Sequence, residues 1–186
     1  PENVLLLLDG AYAEFVTEDD YEAGEAVVRE FSNVVMTRTF SKIYALASLR
    51  VGWAYAPPEI IDVLDRVRPP FNVSAPAISA AIAALEDREH TERSRRHNAE
   101  TLPWFVGEVE ALGLHVNPSV ANFVIVRFPA ETAQNAEAAY QFLFERGIVT
   151  RRVAGYGLPD WVRMSIGTRE EMEDVVAALR AFVGAS

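Results

Sequence analysis

The sequence has no cysteine and only one lysine, Lys42, among its 17 basic residues. The absence of cysteine excludes disulfides, cysteine metal ligands and a cysteine nucleophile. Acidic residues number 27 and the formal net charge is −10, so the chain lacks the basic surface that a nucleic-acid partner requires. No apolar run approaches the roughly 20 residues of a membrane span, and no signal peptide is recognisable. These features indicate a cytoplasmic protein that binds neither nucleic acid nor membrane.

Several familiar catalytic motifs are also missing. The chain has no Gly-x-Ser-x-Gly elbow, no Walker loop, no His-Glu-x-x-His and no Gly-x-Gly-x-x-Gly. His90 and His97 lie seven residues apart in a charged segment, but no third ligand accompanies them, so no metal site is expected. We therefore look for a catalytic site among lysine, aspartate and arginine residues.

The length and hydrophobic content allow one ordinary domain or a large part of two. The chain has 186 residues, of which 50% are hydrophobic. It begins at Pro1 without methionine and enters the apolar run 4–8 at once. Such a run is typical of a central strand that is buried on both faces of a parallel sheet. We therefore expect the chain to be the C-terminal half of a longer protein.

Strand and helix patterns are mixed along the whole chain, which indicates an α/β or α+β fold. Apolar periodicity, proline and capping signals locate the elements. Strands are predicted over 4–8, 34–37, 51–56, 121–128, 148–150 and 161–167. Helices are predicted over 19–30, 57–67, 74–86, 87–112 and 133–146, and after Thr168. The helix over 74–86 is expected to be buried, Phe144 is expected to face inward, and Pro103 should kink or divide its helix.

Lys42 lies between the hydroxyls of Thr39 and Ser41 on one side and Arg50 on the other. Arginine serves wherever a fixed cation is sufficient, whereas a lysine amine can lose its proton and attack a carbonyl. Composition alone leaves the alternative of an ordinary surface lysine. The three neighbours supply two hydroxyls and a fixed cation. One helical turn and a bend could bring Lys42 and Arg50 to one small ligand.

The amino-acid sequence of this segment resembles that of a known family. Ser41-Lys42, followed by Leu-Ala-Ser-Leu-Arg-Val-Gly at 46–52, resembles the cofactor-lysine segment of fold-type I pyridoxal-phosphate aminotransferases. The family usually has glycine at the position of Ser48. The resemblance implies that Lys42 forms a Schiff base with the aldehyde of pyridoxal 5'-phosphate. It also implies that Thr39, Ser41 and Arg50 hold the cofactor phosphate.

A second motif follows the first strand as Asp9-Gly10-Ala11-Tyr12. Asp-Gly is a common turn pair, and a turn alone would account for it. Ligand-binding groups also lie at the carboxyl ends of parallel strands. The motif resembles the same family, which implies that Asp9 pairs with the pyridinium nitrogen and that Tyr12 reaches the phenolic oxygen of the cofactor ring.

An arginine interrupts the last apolar strand. Arg163 either faces water at a sheet edge, pairs with a structural carboxylate, or forms a bidentate clamp for a substrate carboxylate. The motif that it begins, Arg-Met-Ser-Ile-Gly, resembles the family motif whose arginine binds the substrate α-carboxylate. Arg151 resembles a second arginine, which faces the substrate phosphate in histidinol-phosphate aminotransferases, although Arg152 is adjacent. Tyr156 is expected to line the same entrance.

The resemblance implies a fold-type I α/β fold. Residues 1–73 would belong to the large cofactor domain with its parallel or mixed sheet, and residues 74–186 to an α+β small domain. The words Arg-Pro-Pro-Phe-Asn-Val at 68–73 are similar to histidinol-phosphate aminotransferases in particular. The implied activity is that of a histidinol-phosphate:2-oxoglutarate aminotransferase in histidine biosynthesis, with glutamate as the amino donor to imidazole-acetol phosphate. A homodimer is expected.

Three alternatives share these motifs or this fold. Two are enzymes: a threonine-phosphate decarboxylase, and an aromatic or other amino-acid aminotransferase. The third is the effector-binding domain of an aminotransferase-like transcription regulator, which would require a separate DNA-binding module. Turnover of different keto acids, or release of CO2, would separate the enzymes from one another.

Overall fold

The computed structural model describes residues 1 and 3–184, which divide into two units, Pro1–Arg96 and His97–Ser186. The division falls inside a long helix. The sequence predicts a domain boundary between residues 73 and 74. This boundary concerns the two domains of the family fold, and it stays a prediction.

The first unit contains a three-stranded mixed sheet in the order β1-β2-β3. β1 runs parallel to β2, and β3 runs antiparallel to β2. The buried side chains Val34 and Met36 of β2 pack with Val28, which lies on the connecting helix. The elements of this unit are β1 (Leu6–Asp9), α1 (Glu25–Glu30), β2 (Val34–Thr39), β3 (Gly52–Tyr55), α2 (Pro58–Val67) and α3 (Ala75–Glu86).

A four-stranded antiparallel sheet in the order β4-β5-β7-β6 forms the second unit, together with helices. Its core is apolar, and Phe105, Leu143 and Leu179 are among its fully buried members. The elements are β4 (His115–Val116), β5 (Phe123–Arg127), α5 (Ala136–Phe144), β6 (Arg151–Arg152), β7 (Trp161–Ser165) and α6 (Arg169–Gly184). The long helix α4 (Arg88–Ala111) spans the boundary between the units. Among the described residues, no helix combines the length and hydrophobicity needed to cross a membrane.

Helix α6 begins after Thr168, as predicted, and its start has a reciprocal cap. The Thr168 hydroxyl oxygen accepts from the Glu171 backbone N–H at 3.3 Å, and the Glu171 carboxylate accepts from the Thr168 N–H at 2.7 Å. This arrangement is a capping box, which satisfies two donors at the helix start. The apolar residues Met172, Val176 and Leu179 then face the core.

Several expectations about burial are wrong. β1 is not enclosed, because Leu5, Leu6 and Leu7 are 61%, 45% and 60% exposed and, among the described residues, the strand pairs only with β2. Helix α3 forms where predicted, but only Ala77 and Ala81 are buried. Phe144 is also exposed, since it lies one residue beyond the buried Leu143 on α5.

Element boundaries differ from the predictions at three places. The acidic residues 19–24 are not helical, and α1 begins only at Glu25 after Gly24, whose φ is +104°. Helix α4 is continuous through Pro103 rather than divided. The strand predicted over 148–150 is instead the short β6, one position further along, where Arg151 and Arg152 pair with β7.

Candidate functional site

Lys42 lies on a tightly closed loop between β2 and β3, residues 40–51, which we call the lysine loop. The loop is held by backbone hydrogen bonds from Leu46 N to Phe40 O and from Ala45 N to Lys42 O, each 2.9 Å long. Ala45 takes a left-handed conformation with φ of 57° to complete the turn. The lysine side chain is half-buried. The local sequence therefore folds into a rigid support for one amine.

A small apolar cluster fixes this loop to α3. Phe40 and Val51, at the two ends of the loop, pack with Ala77 and Ala81 of the helix. Alanine has the smallest side chain that still packs, so the helix can approach the loop closely. This contact explains why α3 is rich in alanine although most of its surface is exposed.

The three predicted phosphate ligands are joined by one chain of hydrogen bonds. The Thr39 hydroxyl donates to the Ser41 hydroxyl oxygen at 2.9 Å, and the Ser41 backbone N–H donates to Thr39 Oγ1 at 3.0 Å. Arg50 Nη1 reaches Ser41 Oγ at 3.4 Å and the Ala47 carbonyl at 2.7 Å. A 3-10 turn over Ala47–Leu49 brings Arg50 back toward the loop, and Arg50 itself has a φ of 52°. Two hydroxyls and a guanidinium thus converge, which is a donor set that suits a dianion.

The fourth and fifth predicted residues lie at the carboxyl end of β1. Lys42 Nζ is 5.0 Å from the centroid of the Tyr12 ring, within cation–π distance. Asp9, the last residue of β1, is in register with Thr37 of β2. Its carboxylate accepts from the Ala11 N–H at 3.2 Å, so the turn expected from Asp-Gly is present. The structure therefore brings Tyr12 to the lysine and leaves the Asp9 side chain exposed beside the same strand end.

In the second unit, Arg151 and Arg163 are direct neighbours across the β6 and β7 strands. Arg163 is half-buried, and its guanidinium carbon lies 4.7 Å from the Phe123 ring centroid. Its buried Nε has no hydrogen-bond partner among the described residues. A buried donor without an acceptor is costly unless a ligand supplies one. The expectation of a structural carboxylate partner thus finds no support in this unit.

Arg151 and its neighbour Arg152 have different contacts in the structure. Arg152 forms an ion pair with Glu137 of α5, which occupies its guanidinium. Arg151 is exposed and donates to the Tyr156 hydroxyl at 3.0 Å. Tyr156, which is also exposed, is therefore tied to the arginine with which it was grouped in the sequence. Arg151 and Arg163, two cations paired across neighbouring strands, favour an anionic ligand.

The sequence did not reveal that His90 supports the lysine loop. His90 Nε2 lies 3.2 Å from the carbonyl of Ile43, the residue that follows Lys42. Arg93 Nη2 approaches Nδ1 of the same ring at 3.4 Å. His97 likewise lies 2.7 Å from a backbone carbonyl, that of Gly167. A contact between residues so far apart in the chain leaves no local sequence signal.

Gly52 allows β3 to approach β2 at the point where Thr39 leads into the lysine loop. A Cβ atom added there would lie 2.6 Å from the backbone carbonyl oxygen of Arg38, closer than real contacts permit. We predict that Gly52→Ala lowers the free energy of unfolding by about 1–3 kcal/mol, because backbone must shift to make room. Denaturant unfolding followed by circular dichroism measures this change.

Gly107→Ala is the matched control for that substitution. Gly107 lies inside α4, and a Cβ there would meet nothing within 4 Å. Alanine is favoured over glycine in a helix by roughly 0.5–1 kcal/mol, so this variant should be as stable as the parent or more stable. Equal stability of the parent and the Gly52→Ala variant would contradict the proposed clash.

Comparison with known proteins gives a consistent result. Residues 1–179 match the family described as aminotransferase class I and II. The histidinol-phosphate aminotransferase of Rhodospirillum centenum is 55% identical over 179 residues, which are 96% of this chain and 49% of that protein. The histidinol-phosphate aminotransferase of Paramagnetospirillum magneticum is 51% identical over 183 residues, which are 98% of this chain and 50% of that protein.

A solved structure has the same fold. It is the histidinol-phosphate aminotransferase from Sinorhizobium meliloti in complex with pyridoxal-5'-phosphate, with a TM-score of 0.87 and 32% identity. The match covers 100% of this chain and 50% of that one. The chain thus spans about half the length of the relatives it matches.

Proposed function

Because this chain belongs to the aminotransferase class I and II family, we propose that the full-length protein is a pyridoxal-phosphate-dependent aminotransferase. The fold-type I α/β class predicted from the sequence is confirmed by the shared fold. The observation that supports the activity most directly is the chain of hydrogen bonds through Thr39, Ser41 and Arg50, next to a half-buried lysine.

The residues of the first unit fit the cofactor that this activity requires. Thr39, Ser41 and Arg50 would hold its phosphate through two hydroxyls and a cation. Asp9 would pair with the ring nitrogen and keep it protonated, and Tyr12 would bind the phenolic oxygen. When bound, the cofactor supplies an electron sink for the pair of electrons left by breaking the Cα–H bond.

Lys42 has two roles in this proposal. Its amine would hold the cofactor covalently, a role that an arginine guanidinium cannot fill. The same amine, once free, would take up the proton from the substrate Cα as a general base. The closed loop and the contact with Tyr12 restrict the amine and thus prepare it for both steps.

We propose glutamate as the amino donor and imidazole-acetol phosphate as the acceptor, so that the reaction gives 2-oxoglutarate and histidinol phosphate in histidine biosynthesis. Both close relatives carry the name histidinol-phosphate aminotransferase. In this proposal Arg163 binds the carboxylate of glutamate through its guanidinium fork. Arg151, with Tyr156 attached to it, binds the phosphate of histidinol phosphate or shares that task with Arg163.

We further infer a homodimer in the cytoplasm. The resemblance to fold-type I enzymes supports the dimer, and sedimentation of the full-length protein would test it. A monomer at micromolar concentration would contradict it.

Borohydride reduction tests the proposal at its central residue. The full-length protein is incubated with pyridoxal phosphate, reduced, digested and mapped by mass spectrometry. We expect a stable cofactor adduct on the peptide that carries Lys42, because reduction converts the reversible bond into a secondary amine. An unmodified Lys42 peptide from fully reduced, folded protein would overturn the proposed function.

A further inference from the structure

An ion pair between Glu14 and Arg38 lies beside the lysine loop. Arg38 Nη1 is 3.0 Å from Glu14 Oε1, and the two side chains are only 12% and 17% exposed. The other ion pairs of the described residues each have at least one partner that is much more exposed. Shielding two charges from water costs about as much as their attraction returns, so such a pair contributes little to stability by itself. A role in fixing local geometry is the better explanation.

The chain accommodates the Arg38 side chain by means of a glycine. A Cβ atom at Gly10 would lie 2.9 Å from Arg38 Nε and 3.0 Å from Arg38 Cδ. The arginine therefore crosses over the turn that follows β1 and reaches Glu14 on the far side. Glu14 belongs to a 3-10 turn over Ala13–Phe15, whose Phe15 is buried.

The segment 10–14 is thus attached to β2 at both ends. At the near end, Gly10 N–H donates to the Thr37 carbonyl at 2.9 Å. At the far end, Glu14 pairs with Arg38, the next residue of the same strand. Tyr12 lies midway between the two attachments, and its ring faces the Lys42 amine at 5.0 Å.

We propose that Glu14 and Arg38 are positioning residues whose ion pair holds Tyr12 against the amine of Lys42. Without the pair, Glu14 no longer attaches the far end of the segment to β2, although the Gly10 hydrogen bond and the buried Phe15 remain, and the residues between them can shift. The ring of Tyr12 would then move relative to the lysine. The pair acts through Tyr12 and not on the reacting atoms.

The electrostatics of the neighbouring Tyr44 agree with this placement. Burial raises the pKa of the Tyr44 phenol, the Glu14 carboxylate raises it further, and Arg38 opposes that effect. Tyr44 lies two residues beyond Lys42 and packs on Phe40, with ring centroids 5.0 Å apart. Both charges of the pair therefore act on the pKa of a lysine-loop residue, Tyr44, in opposite directions.

The reactivity of Lys42 toward an amine acylating reagent tests the proposal in the full-length apoprotein. The rate is followed on the Lys42 peptide by mass spectrometry, with the reagent limiting. Glu14→Gln keeps the shape of the side chain but removes its charge. We expect the rate to rise about two- to fivefold, the factor that a cation–π contact at a partly exposed site represents.

Repeating the measurement in a Tyr12→Leu protein shows whether the effect of Glu14→Gln depends on the Tyr12 ring. In a Tyr12→Leu protein, which lacks the ring, adding Glu14→Gln should change the Lys42 rate no further. Arg38→Lys, which keeps the positive charge, should fall between Glu14→Gln and the parent. Glu25→Gln is the matched control, because it removes an acid from the exposed Arg29 pair of α1 and should leave the rate unchanged.

Two results would overturn the proposal: an unchanged rate in Glu14→Gln, or an equal rise in the presence and absence of the Tyr12 ring. If Glu14→Gln fails to fold, Glu14→Asp keeps the charge, shortens the arm and gives the same readout. The proposal rests on the proposed function only in taking Lys42 as the reacting amine. Acylation needs no cofactor, so its outcome is independent of the borohydride result.

Discussion

Replacing Lys42 by alanine in the full-length protein is expected to lower the rate of transamination by about 10³-fold or more. A positioned general base alone contributes roughly 10²–10⁴-fold to a rate, and Lys42 is also the only residue of this chain whose amine can bind the cofactor aldehyde covalently. The measurement is single-turnover conversion of glutamate to 2-oxoglutarate at saturating pyridoxal phosphate. The same variant should give no borohydride-stable adduct on this segment.

Lys42→Arg is the matched control for that experiment. It keeps a cation next to Tyr12 and so preserves the cation–π contact, but its guanidinium stays protonated and cannot attack an aldehyde. We expect it to be as inactive as the alanine variant while its thermal unfolding matches the parent. Turnover within tenfold of the parent in either folded variant would remove Lys42 from the mechanism.

Replacing Arg163 by alanine is expected to raise the Michaelis constant for glutamate about 10- to 100-fold. That range corresponds to the loss of hydrogen bonds to a charged group, which contribute roughly 1.5–3 kcal/mol. The structure supports a large effect, since the Arg163 Nε is buried and finds no acceptor among the described residues. Initial rates at varied glutamate and saturating cofactor give the constant.

Two further variants separate a carboxylate clamp from a general effect of charge. Arg163→Lys keeps the charge but loses the planar fork, so its Michaelis constant should lie between those of the parent and Arg163→Ala. Arg127→Ala removes a more exposed arginine from the neighbouring strand β5 and should leave the constant unchanged. Equal Michaelis constants for Arg163→Ala and the parent would assign the substrate carboxylate to another residue.

The parts of the site that are close in sequence were the predictable ones. Thr39, Ser41 and Arg50 lie within a dozen residues, so a short motif specifies both their types and their convergence. Glu14 and His90 contact this region from 24 and 47 residues away in the chain. Such contacts depend on how β1 and α4 pack against the loop, and a single sequence carries no local pattern for that.

The errors in the fold also have identifiable physical causes. Apolar runs predicted burial for residues 4–8 and for α3, but burial depends on which elements cover a surface, and hydrophobicity does not specify them. Pro103 was expected to kink or divide its helix, and the structure shows that α4 is not divided there. Phe105 and Val109 are fully buried in the core of the second unit, and this packing supports the helix just beyond the proline.

The uncovered strand β1 has a consequence for handling the chain at high concentration. Its outer edge has no strand partner among the described residues, and Leu6 and Leu7 are exposed to solvent. An exposed, apolar strand edge is a template on which another strand can add, and natural sheets commonly protect such edges with charge, proline or a bulge. None of those devices occurs in Leu6-Leu7-Leu8. Solubility of the 186-residue chain should therefore be limited by this edge, and a charged residue in place of Leu7 is the substitution most suited to relieve aggregation.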